Sequence, residues 1–339
     1  MTLPKRVLLT GATGHLSTAV GAEILARAKP SCLRLLIRSK EKLRRLASLN
    51  KRLAGLGDCK RMIGDIRDPA TVEAAVDGVD AVVHALHSHE YWRGTRHLLD
   101  VNLEGARWLA AALGARGHGW EVVYVGSYSV HDAESGPPRE ELERMAARAA
   151  SSAVKATVQR LFADAARADG CRLHVVSPSY MIGPYQLDPT YFGALFHLVR
   201  HRPLTWCPPH GVNLVDVRDV ARTVVDCLGD HGGPPRRVLA SGEDVSFRDL
   251  FTAMNQAAGH HRTPRELSPR LLRSLPRLRF FGDFGKHYFD RAHYTGVAGL
   301  AGRRHQLVDS VVDAVDWAGR MEMFCGTFDL TRWLAKRYL

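Results

Sequence analysis

Between Lys5 and Val176 short apolar runs alternate with longer stretches of helical periodicity, and that alternation admits few folds. The runs are continuously apolar, so each strand needs cover on both faces, which a parallel sheet wrapped by helices provides. Strands are expected at 7–10, 33–37, 81–84, 122–125 and 173–176, with a further one ending at 61–64. The first helix is expected over 16–28, where Leu16, Val20, Ile24 and Leu25 line one face. The fold class that follows is α/β, a doubly wound parallel sheet.

Thr10-Gly11-Ala12-Thr13-Gly14-His15-Leu16-Ser17 joins the first strand to the first helix. Gly11 permits a tight turn and Gly14 lets the backbone approach a pyrophosphate, while the helix amino terminus supplies N–H donors and a favourable dipole. Ser17 stands where a third glycine would ease helix–strand packing, and its small size preserves that packing. A glycine loop at this place in a βαβ unit marks a Rossmann domain that binds a dinucleotide. The end of the second strand carries Arg38-Ser39-Lys40, with no carboxylate before Glu41. An acid at that place commonly meets a ribose 2′-hydroxyl, whereas a 2′-phosphate needs a cation. Arg38 offers a forked pair and Ser39 a hydrogen bond, so NADP(H), as NADPH or NADP, is the expected cofactor.

At 339 residues the chain exceeds one typical domain, and its 45% hydrophobic and 24% charged residues suffice for a core. Beyond Pro178 prolines such as Pro184, Pro203, Pro208 and Pro209 break the alternation, although 213–217 and 238–240 still read as strands. The expected organisation is a Rossmann domain over 1–178, with 212–245 packing back onto it, and a smaller carboxyl-terminal substrate lobe from 179–211 and 246–339. Within that lobe 275–294 is crowded with rings, among them Phe280, Phe281, Phe284, Tyr288 and Phe289.

The net charge of +12 rests on arginine, since nine of the 47 basic residues are lysine. No basic block exceeds pairs such as Arg44-Arg45 and Arg303-Arg304, so no nucleic-acid partner is expected. Cys32, Cys59, Cys171, Cys207, Cys227 and Cys325 are scattered, with no C-x-x-C pair and no histidine at metal-ligand spacing beside them. No metal is expected, and a reducing compartment fits. The first residues lack a signal peptide's apolar stretch, and no run approaches the roughly 20 apolar residues of a membrane span. A soluble, cytoplasmic protein without a membrane partner is the expectation, and nothing in the sequence sets its oligomeric state.

Further segments follow a shared pattern: Gly64-Asp65-Ile66-Arg67-Asp68, Val83-His84-Ala85-Leu86, Val101-Asn102-x-x-Gly105, Ser179-Tyr180-Met181-Ile182-Gly183-Pro184 and Val217-Arg218-Asp219-Val220-Ala221. With the glycine loop they resemble the extended and atypical short-chain dehydrogenase/reductases, a group that includes NAD-dependent epimerases and dehydratases, over most of the chain. The resemblance implies that Thr10, Gly11, Thr13, Gly14, His15 and Leu16 hold the pyrophosphate and that Asp65 and Ile66 meet the adenine. It places His84, Ala85 and Leu86 beside the nicotinamide ribose, with Pro178 also bordering the cofactor. Asn102 and Asp219 are expected to hold loops and helix starts, as Asn and Asp favour such caps. His84 fits a satisfied buried histidine equally well.

Members of that family oxidise or reduce with a serine, a tyrosine and a lysine, the tyrosine four residues before the lysine. An ammonium and the cationic nicotinamide must lower a phenol from its ordinary pKa of about 10 for proton exchange near neutrality, and the spacing puts both groups on one helix face. Ser127, after Val122-Val123-Tyr124-Val125-Gly126, takes the place of the family serine. Lys155 takes the place of the lysine, on a helix expected over 140–168 whose apolar stripe is Val154, Val158, Leu161, Phe162 and Ala165. Ser151 occupies the tyrosine position, and no tyrosine in the chain stands four residues before a lysine. A serine hydroxyl is less acidic and shorter than a phenol. The proton must therefore come from an ordered water, a substrate hydroxyl or another tyrosine such as Tyr128 or Tyr180. Lys155 is expected to orient the nicotinamide ribose and Ser127 to hydrogen-bond the carbonyl, with positioning carrying much of the rate.

The expected activity is NADPH-dependent reduction of a ketone in a small-molecule substrate, aromatic or polycyclic because of the rings at 275–294. One alternative is a non-catalytic NADP(H)-binding sensor of NmrA-like type whose triad has decayed. Another, a sugar-nucleotide epimerase or dehydratase, is disfavoured because that chemistry also relies on the tyrosine. Retention of Ser127 and Lys155 favours an enzyme.

Overall fold

The computed structural model describes residues 3–117, 119–131, 136–168, 170–187, 192–229, 233–268 and 303–325. The chain divides into two compact units, one of Met1–Pro178 and Val220–Leu239, the other of Ser179–Asp219 and Ala240–Leu330. In the first unit the strands are β1 (Val7–Thr10), β2 (Leu33–Ile37), β3 (Lys60–Ile63), β4 (Ala81–His84), β5 (Glu121–Val125) and β6 (Arg172–Pro178). Its helices are α1 (His15–Arg27), α2 (Lys40–Leu49), α3 (Pro69–Val76), α4 (Gly94–Leu99), α5 (Gly105–Gly114), α6 (Arg139–Arg144) and α7 (Ala147–Ala168). With β10 (Arg237–Ala240) these strands form a seven-stranded sheet in the order β10-β6-β5-β4-β1-β2-β3. The Rossmann α/β class expected from the alternation is the one observed.

Burial explains the continuous apolar runs, because every residue of β1, β2 and β4 is buried. The one charge in those strands, Arg34, is accommodated at the end of a helix. Its guanidinium donates to the carbonyls of Ala75 at 2.7 Å and Asp77 at 2.6 Å, satisfying the carboxyl terminus of α3. β1 pairs in parallel with β2 on one side and β4 on the other, placing Thr10 opposite both Leu36 and His84. Strand order reverses at β1, and open α/β sheets bind ligands in the crevice beyond the carboxyl ends at such a reversal.

The single helix expected over 140–168 is two helices. α6 stops at Met145, whose backbone is extended and whose carbonyl accepts a hydrogen bond from Thr95 Oγ1 at 2.8 Å. Beyond the break α7 buries Val154, Val158, Phe162 and Ala166 in a core shared with Leu98, Leu99, Leu109 and Tyr124.

The second unit contains β7 (Tyr180–Ile182), α8 (Phe192–Val199), β8 (Trp206–Cys207), β9 (Gly211–Asp216), β11 (Glu243–Ser246), α10 (Phe247–Ala257), β12 (Arg265–Glu266) and α11 (Leu307–Cys325); α9 (Val217–Leu228) runs from it into the first. β9 pairs in parallel with β7 and antiparallel with β11, so the return of 212–245 to the Rossmann sheet is narrower than expected. Among the described residues β10 alone joins that sheet, and Val220–Leu239 is the returning segment. Asp219 accepts hydrogen bonds from the backbone of Arg304 and His305 and from His305 Nδ1 at 3.0 Å, holding one stretch of chain to the start of α9. The ring-rich stretch 275–294 lies outside the described residues. Among the described residues no helix is long and apolar enough to cross a membrane.

Candidate active site

The loop after β1 is built on one unusual backbone conformation. Gly11 has φ of +62°, and a Cβ there would lie 3.0 Å from Leu86 Cα, so the turn is pressed against the chain leaving β4. The Gly14 N–H donates to the Gly11 carbonyl at 2.8 Å, closing the turn, and Gly14 then starts α1. Ser17 Oγ donates to the Thr10 carbonyl at 3.3 Å and ties the helix to the strand. The first turn of α1 has no acidic residue and no side-chain cap, which leaves the donor set that a phosphate needs. Leu16 is buried beneath it, while Thr13 and His15 are half-buried and Gly14 is exposed. The cradle that a Cβ would fill, together with the uncapped helix, fits a dinucleotide pyrophosphate.

At the end of β2 Arg38 is exposed, and Ser39 caps α2 by accepting from the Lys42 N–H at 3.3 Å. Asp65, following β3, is gripped by Arg67 through Nε at 2.9 Å and Nη2 at 2.7 Å. These bonds, reinforced by the charges of Arg67 and Arg38, hold its carboxyl below the usual aspartate range. Arg38 and Asp65 thus share one rim of the sheet. Ile66 is buried, and its side chain fills the space that a Cβ on Gly105 would need.

Thr10, His84 and Tyr124 stand in a row across β1, β4 and β5. His84 is fully packed: Nδ1 meets Thr10 Oγ1 at 3.1 Å, its ring contacts Phe162 edge-on at 5.3 Å, and burial lowers it to about 4. It is a neutral core residue at neutral pH. The Tyr124 hydroxyl donates to the Lys155 carbonyl at 3.1 Å, anchoring that turn of α7 to the sheet, and burial pushes the phenol up. Ala85 and Leu86 are half-buried in the chain that leaves β4.

Ser127, at the end of β5, caps the turn Tyr128–Val130, its Oγ accepting from the Ser129 N–H at 3.4 Å and lying 3.1 Å from Ser129 Oγ. That turn, which includes the half-buried Tyr128, packs against α7. On α7 Lys155 has no ion-pair partner among the described residues, and burial lowers its ammonium to about 8. Ser151, one turn earlier, is 7% exposed, and its Oγ lies 3.0 Å from His87 Nε2. Burial, the Lys155 charge and the neighbouring His89 and His84 hold the His87 imidazole well below its ordinary range.

His87 is a site residue that the motif reading passes over. Its signal was the cluster of three histidines at 84, 87 and 89 beyond a buried strand. Asn102 positions it: Oδ1 accepts from the Ser88 N–H at 2.7 Å and Nδ2 donates to the Ser88 carbonyl at 3.3 Å. Asn102 is buried within a wide π-helical turn, Asp100–Glu104, between α4 and α5. Replacing Asn102 with alanine should cost about 1–3 kcal/mol of folding free energy, because both Ser88 groups lose their partner. Urea denaturation measures it.

The described phosphate-loop, rim and α7 residues belong to the first unit, as does the buried Pro178 that ends β6. Tyr180 is on β7 in the second unit, half-buried.

Residues 7–238 match the profile described as the NAD dependent epimerase/dehydratase family. The chain is similar to sterol demethylase protein B of Methylococcus capsulatus, at 26% identity over 288 residues that span 80% of each protein. Among solved structures it is similar to the UDP-glucose-4-epimerase of Stenotrophomonas maltophila holding NAD and formylated UDP-arabinopyranose. That match has a TM-score of 0.68 at 17% identity, over 95% of this chain and 100% of that one. A nucleoside-diphosphate-sugar epimerase of Pseudomonas aeruginosa matches with a TM-score of 0.63 at 20% identity, over 96% and 99% of the two chains. At these identities the solved structures speak for the fold alone.

Proposed function

The chain belongs to the NAD dependent epimerase/dehydratase family, which uses nicotinamide cofactors, and on that premise we propose that it is an NADPH-dependent ketoreductase acting on a bulky polycyclic small molecule. The observation that carries this reading is Lys155, a half-buried lysine in the family lysine's position, with Ser127 at the end of the strand packed beside its helix. When bound, the nicotinamide supplies the hydride. Ser151 in the place of the tyrosine makes the site atypical, with the proton passing by a route other than a phenol. The polycyclic substrate is supported by the sterol named for the Methylococcus relative and by the rings in 275–294. An arginine-rich chain with this departure also resembles the angucyclinone ketoreductase of the simocyclinone pathway, which supports a role in the biosynthesis of natural products such as antibiotics.

The capping role of Ser127 favours a second reading, a sensor that binds NADPH without turning it over. Absorbance at 340 nm separates the two, with 1-tetralone and a 3-keto sterol as probes: the enzyme consumes NADPH with one of them, the sensor with neither.

Specificity for NADPH is supported by Arg38, exposed where a 2′-phosphate would lie. Arg38→Ala should weaken NADPH binding about 10- to 100-fold, as expected for one charge-assisted pair, and leave NADH binding within twofold. Cofactor fluorescence titration measures both, and an unsubstituted chain that prefers NADH defeats the assignment.

A further inference from the structure

We propose that Ser151 and His87 form the proton relay of this site, Ser151 Oγ meeting the substrate oxygen and His87 Nε2 exchanging the proton behind it. The proposal rests on the ketoreductase reading. Ser151 shares the helix face of Lys155 by its four-residue spacing. Its Oγ is 3.0 Å from His87 Nε2, within range for direct proton transfer.

A serine hydroxyl donates one hydrogen bond and accepts two. It therefore passes a proton without holding a charge. In ketone reduction the carbonyl carbon gains the hydride and its electron pair from the nicotinamide, and the carbonyl oxygen takes the Ser151 proton. As that Oγ–H bond breaks, a new one forms with the proton of an imidazolium at His87 Nε2, and neutral His87 is reprotonated by solvent. In alcohol oxidation the alcohol proton moves to Oγ, and the Oγ proton moves to neutral Nε2.

The charged and titratable groups facing His87 are Lys155 from α7, His84 from β4 and His89 from its own loop. Burial first, and then the Lys155 charge, hold it neutral at rest. Oxidation therefore finds its base ready at neutral pH, while reduction quickens as the pH falls toward the His87 midpoint. Asn102 is a positioning residue here, fixing the backbone of Ser88 next to His87.

Two measurements test the relay, one of them independent of turnover. In the full chain without cofactor, nitrogen NMR should show His87 titrating below pH 6.5, with the midpoint moved upward in Lys155→Met. With 1-tetralone and NADPH, kcat should rise toward acid through a single ionisation, that of His87 in the loaded enzyme. His87→Gln should flatten the profile and lower kcat 10- to 100-fold, and Ser151→Ala should lower it at least 100-fold, each with NADPH affinity within twofold. Ser151→Thr, which keeps the hydroxyl, should stay within about fivefold of the unsubstituted chain.

The relay is overturned if His87→Gln and Ser151→Ala each retain kcat within threefold, if the threonine variant is as slow as the alanine one, or if the acid limb survives in His87→Gln. It is also overturned by a His87 midpoint at or above pH 6.5. In each of these cases the ketoreductase reading stands. No turnover by the unsubstituted chain overturns both.

Discussion

Gly11→Val is expected to remove measurable NADPH binding and to destabilise the fold by about 2–4 kcal/mol. The backbone at Gly11 sits at φ +62°, a region that costs an L-residue roughly 1–2 kcal/mol before any contact is considered. The new Cβ would lie 3.0 and 3.1 Å from Leu86 Cα and Cβ, and backbone cannot yield as a flexible side chain would. Relief requires the turn to open, which breaks the 2.8 Å bond between the Gly14 N–H and the Gly11 carbonyl and turns the first amides of α1 away from the phosphates. Calorimetric titration should show at least a 100-fold loss of affinity, and urea denaturation the loss of stability. A variant that binds NADPH within threefold of the original would show that the cofactor lies elsewhere.

Lys155→Met should do two opposite things: lower kcat by about 10²- to 10⁴-fold and raise stability at pH 7 by about 1–3 kcal/mol. The sign follows from linkage. Burial lowers the ammonium from 10.5 to about 8, so between those values the unfolded chain binds more protons than the folded one. The group therefore costs stability at neutral pH, and that cost fades as the pH rises from about 8 to about 10.5. Methionine keeps the length of the side chain and removes the charge. Parallel kinetics and denaturation at pH 7 and pH 10 check both effects, and the stability gain should shrink at the higher pH. A variant that is both slower and less stable would mean that Lys155 serves the fold.

Much of the Rossmann unit was legible because its strands are buried on both faces and so spell continuous apolar runs, as β1 and β4 do. The interruption before α7 was hidden, since Met145 and Ala146 are ordinary helix formers and the Met145 carbonyl is claimed by Thr95, 50 residues away. The sheet that β9 joins was equally hidden, because an apolar run does not name its neighbour. At the site the loop glycines were readable from position alone. Ser39 was expected at a phosphate, and its hydroxyl caps α2. Ser151 and His87 are 64 residues apart, and only folding brings the hydroxyl to the imidazole.

The turn Asp100–Glu104 winds wider than an α-helix, holding slack of one residue. A one-residue deletion there would use up that slack and let α4 run into α5 as regular helix, the flanking side chains keeping their places while those inside the turn shift. Asn102 would then face away from Ser88, with the composition almost untouched. Along this stretch the extra residue serves the placement of Asn102 and not the continuity of the helix, so that a single-codon deletion is expected to spare the packing of α4 and α5 while releasing Ser88.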